Sequence, residues 1–314
     1  MSEVQPVVLA VPNELGIGHR CGSRCRDVES LPKRPTGVRL PYSRPKSKTA
    51  RKSPSYEVFG QFYDVIWGEK PASPAWTAAR SQILKPVLAQ ATQVCELGCG
   101  TGGTAIEFAR RGMRVFASDF SREMCRITSE KAHAEKLDVW VRRADMRTFR
   151  LPVQVDLVTS EWGVINHLPR RADLAQTFRA VARALRSGGH FYFDLHNRKL
   201  YEDIWTRTFA GDGMTSDRRR ELFAAQRGGF DRSRGKGWTE LTIFVRGAEG
   251  AWKRHRERIE EIYWPHDEIV RHLERAGFRL IRVFDFTDLA SAPSPKKVAH
   301  GLRTIYLAQK EARP

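Results

Sequence analysis

The segment Gln93–Gly103, QVCELGCGTGG, begins as a short apolar run and ends in four glycines. An apolar run bounded by glycine reads as a buried strand entering a tight turn. The spacing is Gly98-x-Gly100-x-Gly102, and an acid, Glu96, stands within the strand itself. Glycine in such a turn leaves bare backbone where another group must approach closely. The spacing differs from the G-x-G-x-x-G of dinucleotide-binding turns, and a glycine turn by itself is a weak signal.

The flanking segments supply the missing context. MRVFASD reads as a second strand and ends at Asp119; DVWVRRAD reads as a third and ends at Asp145. An acid about twenty residues beyond the glycine turn is placed to hold both hydroxyls of a ribose. Asp145 is placed to accept a hydrogen bond from an adenine amino group. Three successive strand ends thus offer a glycine turn and two acids at the edge where open α/β sheets bind their ligands.

Helical and strand patterns alternate around this unit. TAIEFARR, SREMCRITSEKAHAEK and RRADLAQTFRAVARALR read as helices, and VDLVTSE and GGHFYFDL as strands. This alternation predicts an α/β fold, a mostly parallel sheet with helices on both faces. Ahead of it, SYEVFGQFYDVIWG places Tyr56, Phe59, Phe62, Tyr63, Ile66 and Trp67 at helical spacings, and a second amphipathic segment spans Trp76–Gln90. Between Asn197 and Tyr263 the pattern becomes residue-by-residue alternation, as in WTELTIFVRG and WKRHRERIEEIYW, which predicts antiparallel strands. The Gly/Arg-rich pieces GDGMTSDRRR and RGGFDRSRGKG read as exposed turns. HDEIVRHLERAG then predicts a helix stopped by Gly277, followed by two closing strands.

Residues 1–55 read as a tail: seven prolines interrupt any helix, and eleven Lys/Arg stand against four Asp/Glu. His19, Cys21 and Cys25 fall close together there, but a structural zinc site needs four ligands, so no metal is expected. The organisation expected is a basic Pro-rich tail (1–55), a core (56–196), an antiparallel cap (197–263) and a C-terminal helix with closing strands (264–314).

The whole chain has 314 residues with 54 Lys+Arg and 36 Asp+Glu, a formal charge of +18. Such a charge favours polyanions such as RNA, or acidic substrates, although a solvated basic surface gives the same number. Arg218, Arg219 and Arg220, with Arg227, Arg232, Arg234 and Lys236, read as a basic stretch of the cap. Five cysteines without framework spacing predict free thiols in a reducing compartment. With no long apolar span and no basic leader ahead of an apolar run, the expectation is a cytoplasmic chain without a membrane segment. Cys95, Cys99 and Cys125 read as packing residues rather than reactive thiols.

At this point the sequence resembles the class I S-adenosylmethionine-dependent methyltransferases. ELGCGTGG, VFASDFS, ADMRTF, VDLVTSEWGVINHL and LRSGGHFYFDL carry the likeness over Glu96–Leu195. Within that superfamily it is closest to small-molecule enzymes with an antiparallel cap after the fifth strand. The resemblance implies a Rossmann-like seven-stranded sheet with an antiparallel last strand, and S-adenosylmethionine as cofactor. It implies that Glu96, Gly98, Cys99, Gly100 and Gly102 surround the methionine part, Asp119 the ribose, and Asp145 and Met146 the adenine, with Phe120 stacked on it. It sets Glu161 and Trp162 beside the sulfonium, Tyr63 and Trp76 at the carboxylate end, and His167 toward the substrate, where an imidazole can serve as base. TSEWGVIN stands where base-methylating families carry an Asn/Asp-Pro-Pro-aromatic segment. The expected activity is therefore methyl transfer to nitrogen or oxygen of a small molecule. The alternatives are an RNA-modifying methyltransferase that uses the tail, and a non-catalytic cofactor-binding regulator.

Overall fold

Strand β1 (Gln93–Leu97) is buried on both faces, which is why its sequence is almost continuously apolar. Cys95 and Leu97 join one core cluster and Val94 the other, as the two-residue period of a strand dictates. In the computed structural model the described residues are 56–67, 74–206, 209–211, 222–247, 249–286 and 301–312. The tail 1–55, with His19, Cys21 and Cys25, and the arginines 218–220 lie outside them.

Around β1 stand β2 (Arg114–Asp119), β3 (Val139–Arg143), β4 (Val155–Ser160), β5 (Leu185–His196), β10 (Phe278–Phe286) and β11 (Arg303–Lys310). They form one seven-stranded sheet in the order β10-β11-β5-β4-β1-β2-β3. β11 runs antiparallel to both its neighbours, and the pairs from β5 to β3 are parallel. The chain reverses its direction of travel across the sheet between β1 and β4, and the crevice at that switch point is where such sheets take ligands.

Helices α2 (Pro74–Leu88) and α3 (Gly103–Arg110) cover one face through Trp76, Ile83, Leu84 and Phe108. Helices α5 (Arg171–Ala184) and α7 (His266–Arg275) cover the other through Leu174, Phe178, Ile269 and Leu273. α4 (Arg122–Ala134) starts at Ser121, whose hydroxyl accepts the Met124 amide at 3.3 Å, a regular N-cap. After β5, α6 (Arg198–Leu200) runs into a π-helical turn, Tyr201–Trp205.

The cap is a second, antiparallel sheet of β6 (Phe209–Gly211), β7 (Leu222–Asp231), β8 (Lys236–Arg246) and β9 (Trp252–Ile262). A third core cluster lies between this sheet and the N-terminal segment. Phe59, Phe62 and Ile66, on a 3-10 turn (Phe59–Phe62) and on α1 (Tyr63–Trp67), pack on Leu222, Leu241, Ile243 and Ile259.

One expectation of the cap is corrected. RGGFD, expected as a turn, is the end of strand β7, and only the residues after Asp231 turn. Its glycines answer to crowding rather than to a bend. A Cβ on Gly228 would stand 2.3 Å from the Trp205 carbonyl oxygen, and one on Gly229 2.8 Å from the Trp238 indole nitrogen.

Candidate active site

Gly98, Gly100 and Gly102 all have positive φ, so the turn after β1 is one that side chains would strain. Gly98 and Gly102 are also closed in by neighbours: a Cβ would meet Val164 at 2.4 Å and Thr128 at 2.7 Å. At Gly100 a Cβ would meet nothing within 4 Å. The turn thus rests on packed glycines at both ends and presents an open face at its centre.

Asp119, at the end of β2, is tied to that centre. Its carboxylate accepts the Gly100 amide at 3.0 Å and the Ser121 amide at 2.8 Å. Burial pushes its carboxyl up, and the amides of Ser121, Gly100 and Phe120 oppose that shift by stabilising the anion. Phe120 is 49% exposed, with the Arg143 guanidinium 5.4 Å from its ring centre. β3 joins the same rim, because the Ala144 amide donates to the Asp119 carbonyl at 2.9 Å. The Asp145 carboxylate is held by Arg147, whose Nε lies 2.9 and 3.0 Å from its two oxygens, and this pairing lowers its pKa. Met146 is partly buried against the first core cluster.

The end of β4 is a different environment. Glu161 is buried, accepting the Trp76 indole N–H at 2.6 Å and the Arg80 guanidinium at 2.9 and 3.1 Å. Burial pushes its carboxyl up while Arg80 and the indole pull it down. Arg80 is itself fully buried and also pairs with Glu107. Trp162 has φ of 69°, and its amide donates to Asp194, which pairs with Arg303 at 2.9 Å. The Arg303 guanidinium lies over Trp162 and Trp76, whose rings are 4.7 Å apart. Beside this group, Glu96 Oε2, Arg80 Nε and the Tyr192 hydroxyl are buried without a hydrogen-bond partner. Burial first, and the neighbouring Glu161 second, push the Glu96 carboxyl well above the usual range. Burial likewise raises the thiols of Cys95 and Cys99.

The N-terminal segment spans the rim. Its Tyr56 carbonyl accepts the Ser121 hydroxyl at 3.1 Å, and Asp64 takes the Thr101 hydroxyl and Lys131, both at 2.6 Å. On the cap side, Glu257 accepts the amides of Tyr56 and Phe59. Tyr63 packs edge-on against Tyr56 and Phe59. His167 ends the 3-10 turn Val164–His167, which starts over Gly98; its ring Nε2 lies 3.3 Å from the Tyr56 hydroxyl. Burial lowers its pKa, Glu261 opposes that and His196 reinforces it.

The structure therefore brings Gly98, Gly100, Gly102, Asp119, Phe120 and the end of β3 to one edge. Glu96, Glu161, Trp162 and Trp76 form a buried group beside it, and Tyr63 and His167 sit toward the cap. Sequence reading missed Arg80, Asp194, His196, Glu261 and Arg303. Glu261 carried a signal: in a strand of alternating register it shares the inward face with buried Ile259. Among the described residues no cluster of metal ligands occurs, and no helix is long and apolar enough to cross a membrane.

The strand order, the antiparallel final strand and the glycine-acid rim define the class I methyltransferase fold. Residues 94–189 match the family described as "Methyltransferase domain". A protein of Geobacillus sp. strain WCH70, named a methyltransferase by inference, is 28% identical over 258 residues, 78% of this chain and 97% of its own. Among solved structures, a S-adenosylmethionine-dependent methyltransferase from Clostridium acetobutylicum superposes with a TM-score of 0.68 at 22% identity, over 82% of this chain and 99% of that one. The sugar N-methyltransferase KedS8 of Streptoalloteichus sp. gives 0.66 at 19% identity, over 86% and 100%. The chain therefore carries a methyltransferase domain over residues 94–189 and has the fold of the class I S-adenosylmethionine-dependent methyltransferases. Its residues fit that cofactor: Gly100 leaves backbone open beside Asp119, and the unpartnered polar atoms of Glu96, Arg80 and Tyr192 suit a charged amino-acid end.

Proposed function

We propose that this methyltransferase acts on a nitrogen or oxygen of a small molecule, with His167 as the base. The observation that carries this reading is the position of His167. Its side chain is 24% exposed and its pKa is lowered, at the junction of the glycine turn, the N-terminal segment and the cap. A neutral imidazole there accepts a proton at neutral pH. The likeness to the sugar N-methyltransferase KedS8, over the whole of that chain, supports a small acceptor.

S-adenosylmethionine, when bound, supplies a methyl group on a positive sulfonium. An acceptor held there would take that methyl through its lone pair, and the carbon–sulfur electrons would stay with sulfur. The acceptor proton goes to His167 Nε2. The other residues align the reactants, and alignment of this kind is worth up to ~7–11 kcal/mol. In this reading Asp119 holds the ribose, and Phe120, Asp145 and Met146 the adenine. Gly98, Cys99, Gly100 and Gly102 flank the methionine part, with Glu96 beneath it. Glu161 and Trp162 stand beside the sulfonium, and Tyr63 and Trp76 toward the carboxylate end.

The test is incubation with labelled S-adenosylmethionine and, separately, a metabolite extract and total RNA. Label in the small-molecule fraction is expected. The charge of +18 favours the rival RNA acceptor, and label in RNA, lost when residues 1–55 are removed, would establish that instead.

A further inference from the structure

We infer that Glu261, carried by cap strand β9, is a positioning residue that holds the proton His167 gains at Nε2, with His196 and Tyr201 fixing it for that task. This rests on the reading of His167 as base and extends it to residues outside the cofactor rim.

Glu261 is 3% exposed on its side chain, yet histidines approach it from two other elements. Its Oε2 lies 2.7 Å from His196 Nδ1 and accepts the Tyr201 hydroxyl at 2.8 Å. Its Oε1 lies 3.5 Å from His167 Nε2. The two oxygens thus have separate duties, one anchored and one facing the base.

The anchor is rigid. Gly163 leaves no room for a Cβ, which would stand 2.5 Å from His196 Cε1, so the imidazole packs on bare backbone. Asn166 closes the arrangement, its Oδ1 accepting the His196 amide at 2.9 Å and its Nδ2 donating to the Ile262 carbonyl at 2.8 Å. The turn of His167, the end of β5 and the end of β9 are thereby fixed to one another.

The remaining groups around His167 decide which ring nitrogen titrates. The ring hydrogen-bonds the backbone of Glu260, and Nε2 is the atom that faces both the Tyr56 hydroxyl and Glu261. His196 faces it from β5; Tyr63 and Glu257 stand behind Tyr56. A bare Nε2 gains only the tyrosine hydroxyl. A protonated Nε2 gains a buried carboxylate as well, so the pair favours the imidazolium formed during transfer. Because Glu261 belongs to the cap, the base is complete only where cap and core meet.

The test uses the full-length protein with Glu261→Gln, Glu261→Asp and His167→Asn. Nitrogen-15 NMR follows the titration of His167 with S-adenosylhomocysteine present; methyl transfer to the labelled metabolite fraction is followed against pH. Glu261→Gln is expected to lower the His167 midpoint by about one unit and transfer at pH 7 by about tenfold, while KM for S-adenosylmethionine stays within twofold. Glu261→Asp keeps the charge and recovers part of both, which a purely structural role would not produce. In the His167→Asn background, Glu261→Gln adds no further loss. An unchanged His167 midpoint in folded Glu261→Gln protein overturns the inference. If the wild-type protein labels no small molecule, the proposed function fails separately, and the NMR titration still decides the role of Glu261.

Discussion

The amide of Gly100 donates to the carboxylate of Asp119 at 3.0 Å, so the open centre of the glycine turn and the acid at the end of β2 form one unit. Asp119 shapes the turn, and in the proposed reading it also binds ribose. Asp119→Ala removes both and is expected to weaken S-adenosylmethionine binding by at least a hundredfold, about 2.7 kcal/mol or more. His167→Ala is expected to change that affinity less than threefold. Calorimetry with S-adenosylhomocysteine checks the pair, and equal losses would refute this division of roles.

The glycines of the turn differ in what a side chain would meet. Gly98→Ala forces a Cβ to within 2.4 Å of Val164, so it combines a left-handed backbone penalty of ~1–2 kcal/mol with overpacking of ~1–3 kcal/mol. Gly100→Ala meets no neighbour within 4 Å and carries only the backbone penalty. Gly98→Ala is therefore expected to lower Tm the more. Gly100→Ala is expected to keep most of the stability and still lose at least tenfold in cofactor affinity. A Gly100→Ala protein with unaltered affinity would show that the open face is not the binding surface.

Much of the fold is legible in the sequence alone. The alternation of short apolar runs with amphipathic helices set out the sheet, and Gly98, Gly100, Gly102 and Asp119 marked its edge because turn geometry leaves local signatures. The Arg80–Glu161 pair was not legible, since α2 and the end of β4 meet only through tertiary packing, and a buried arginine resembles a surface one in sequence. RGGFD deceived for the opposite reason. Its glycines looked like turn formers, yet contacts with Trp205 and Trp238, invisible in sequence, require them within a strand. Glu261 and His196 are 65 residues apart, and only the pairing of cap with core unites them.

Arg80 offers a test of that hidden pairing. It is fully buried between Glu161 and Glu107, and its loss strands a buried carboxylate. Arg80→Met is expected to destabilise the protein by ~3–5 kcal/mol, a fall in Tm on the order of ten degrees. Adding Glu161→Gln removes the stranded charge and is expected to restore about half of that loss. Thermal unfolding of the single and double variants measures it, and an additive double variant would show that the two side chains do not depend on each other.

The pH dependence follows from the direction of the His167 shift. Its folded pKa lies below 6.5, with burial the first cause, so the folded protein binds fewer protons than the unfolded chain between those values. The stability this group contributes is fully present above pH ~6.5 and is lost as pH falls through the folded pKa. Activity has the same sign for a base. Methyl transfer should be flat above about pH 7 and fall on the acid side with a single midpoint below 6.5. His167→Asn should abolish that limb together with most of the rate. Asp145, lowered by Arg147, acts only further down, its contribution present above ~3.9 and lost below. Unfolding curves collected from pH 2 to 9 and rates from pH 4 to 9 separate the two groups, and an acid limb that survives in His167→Asn would assign the titrating base elsewhere.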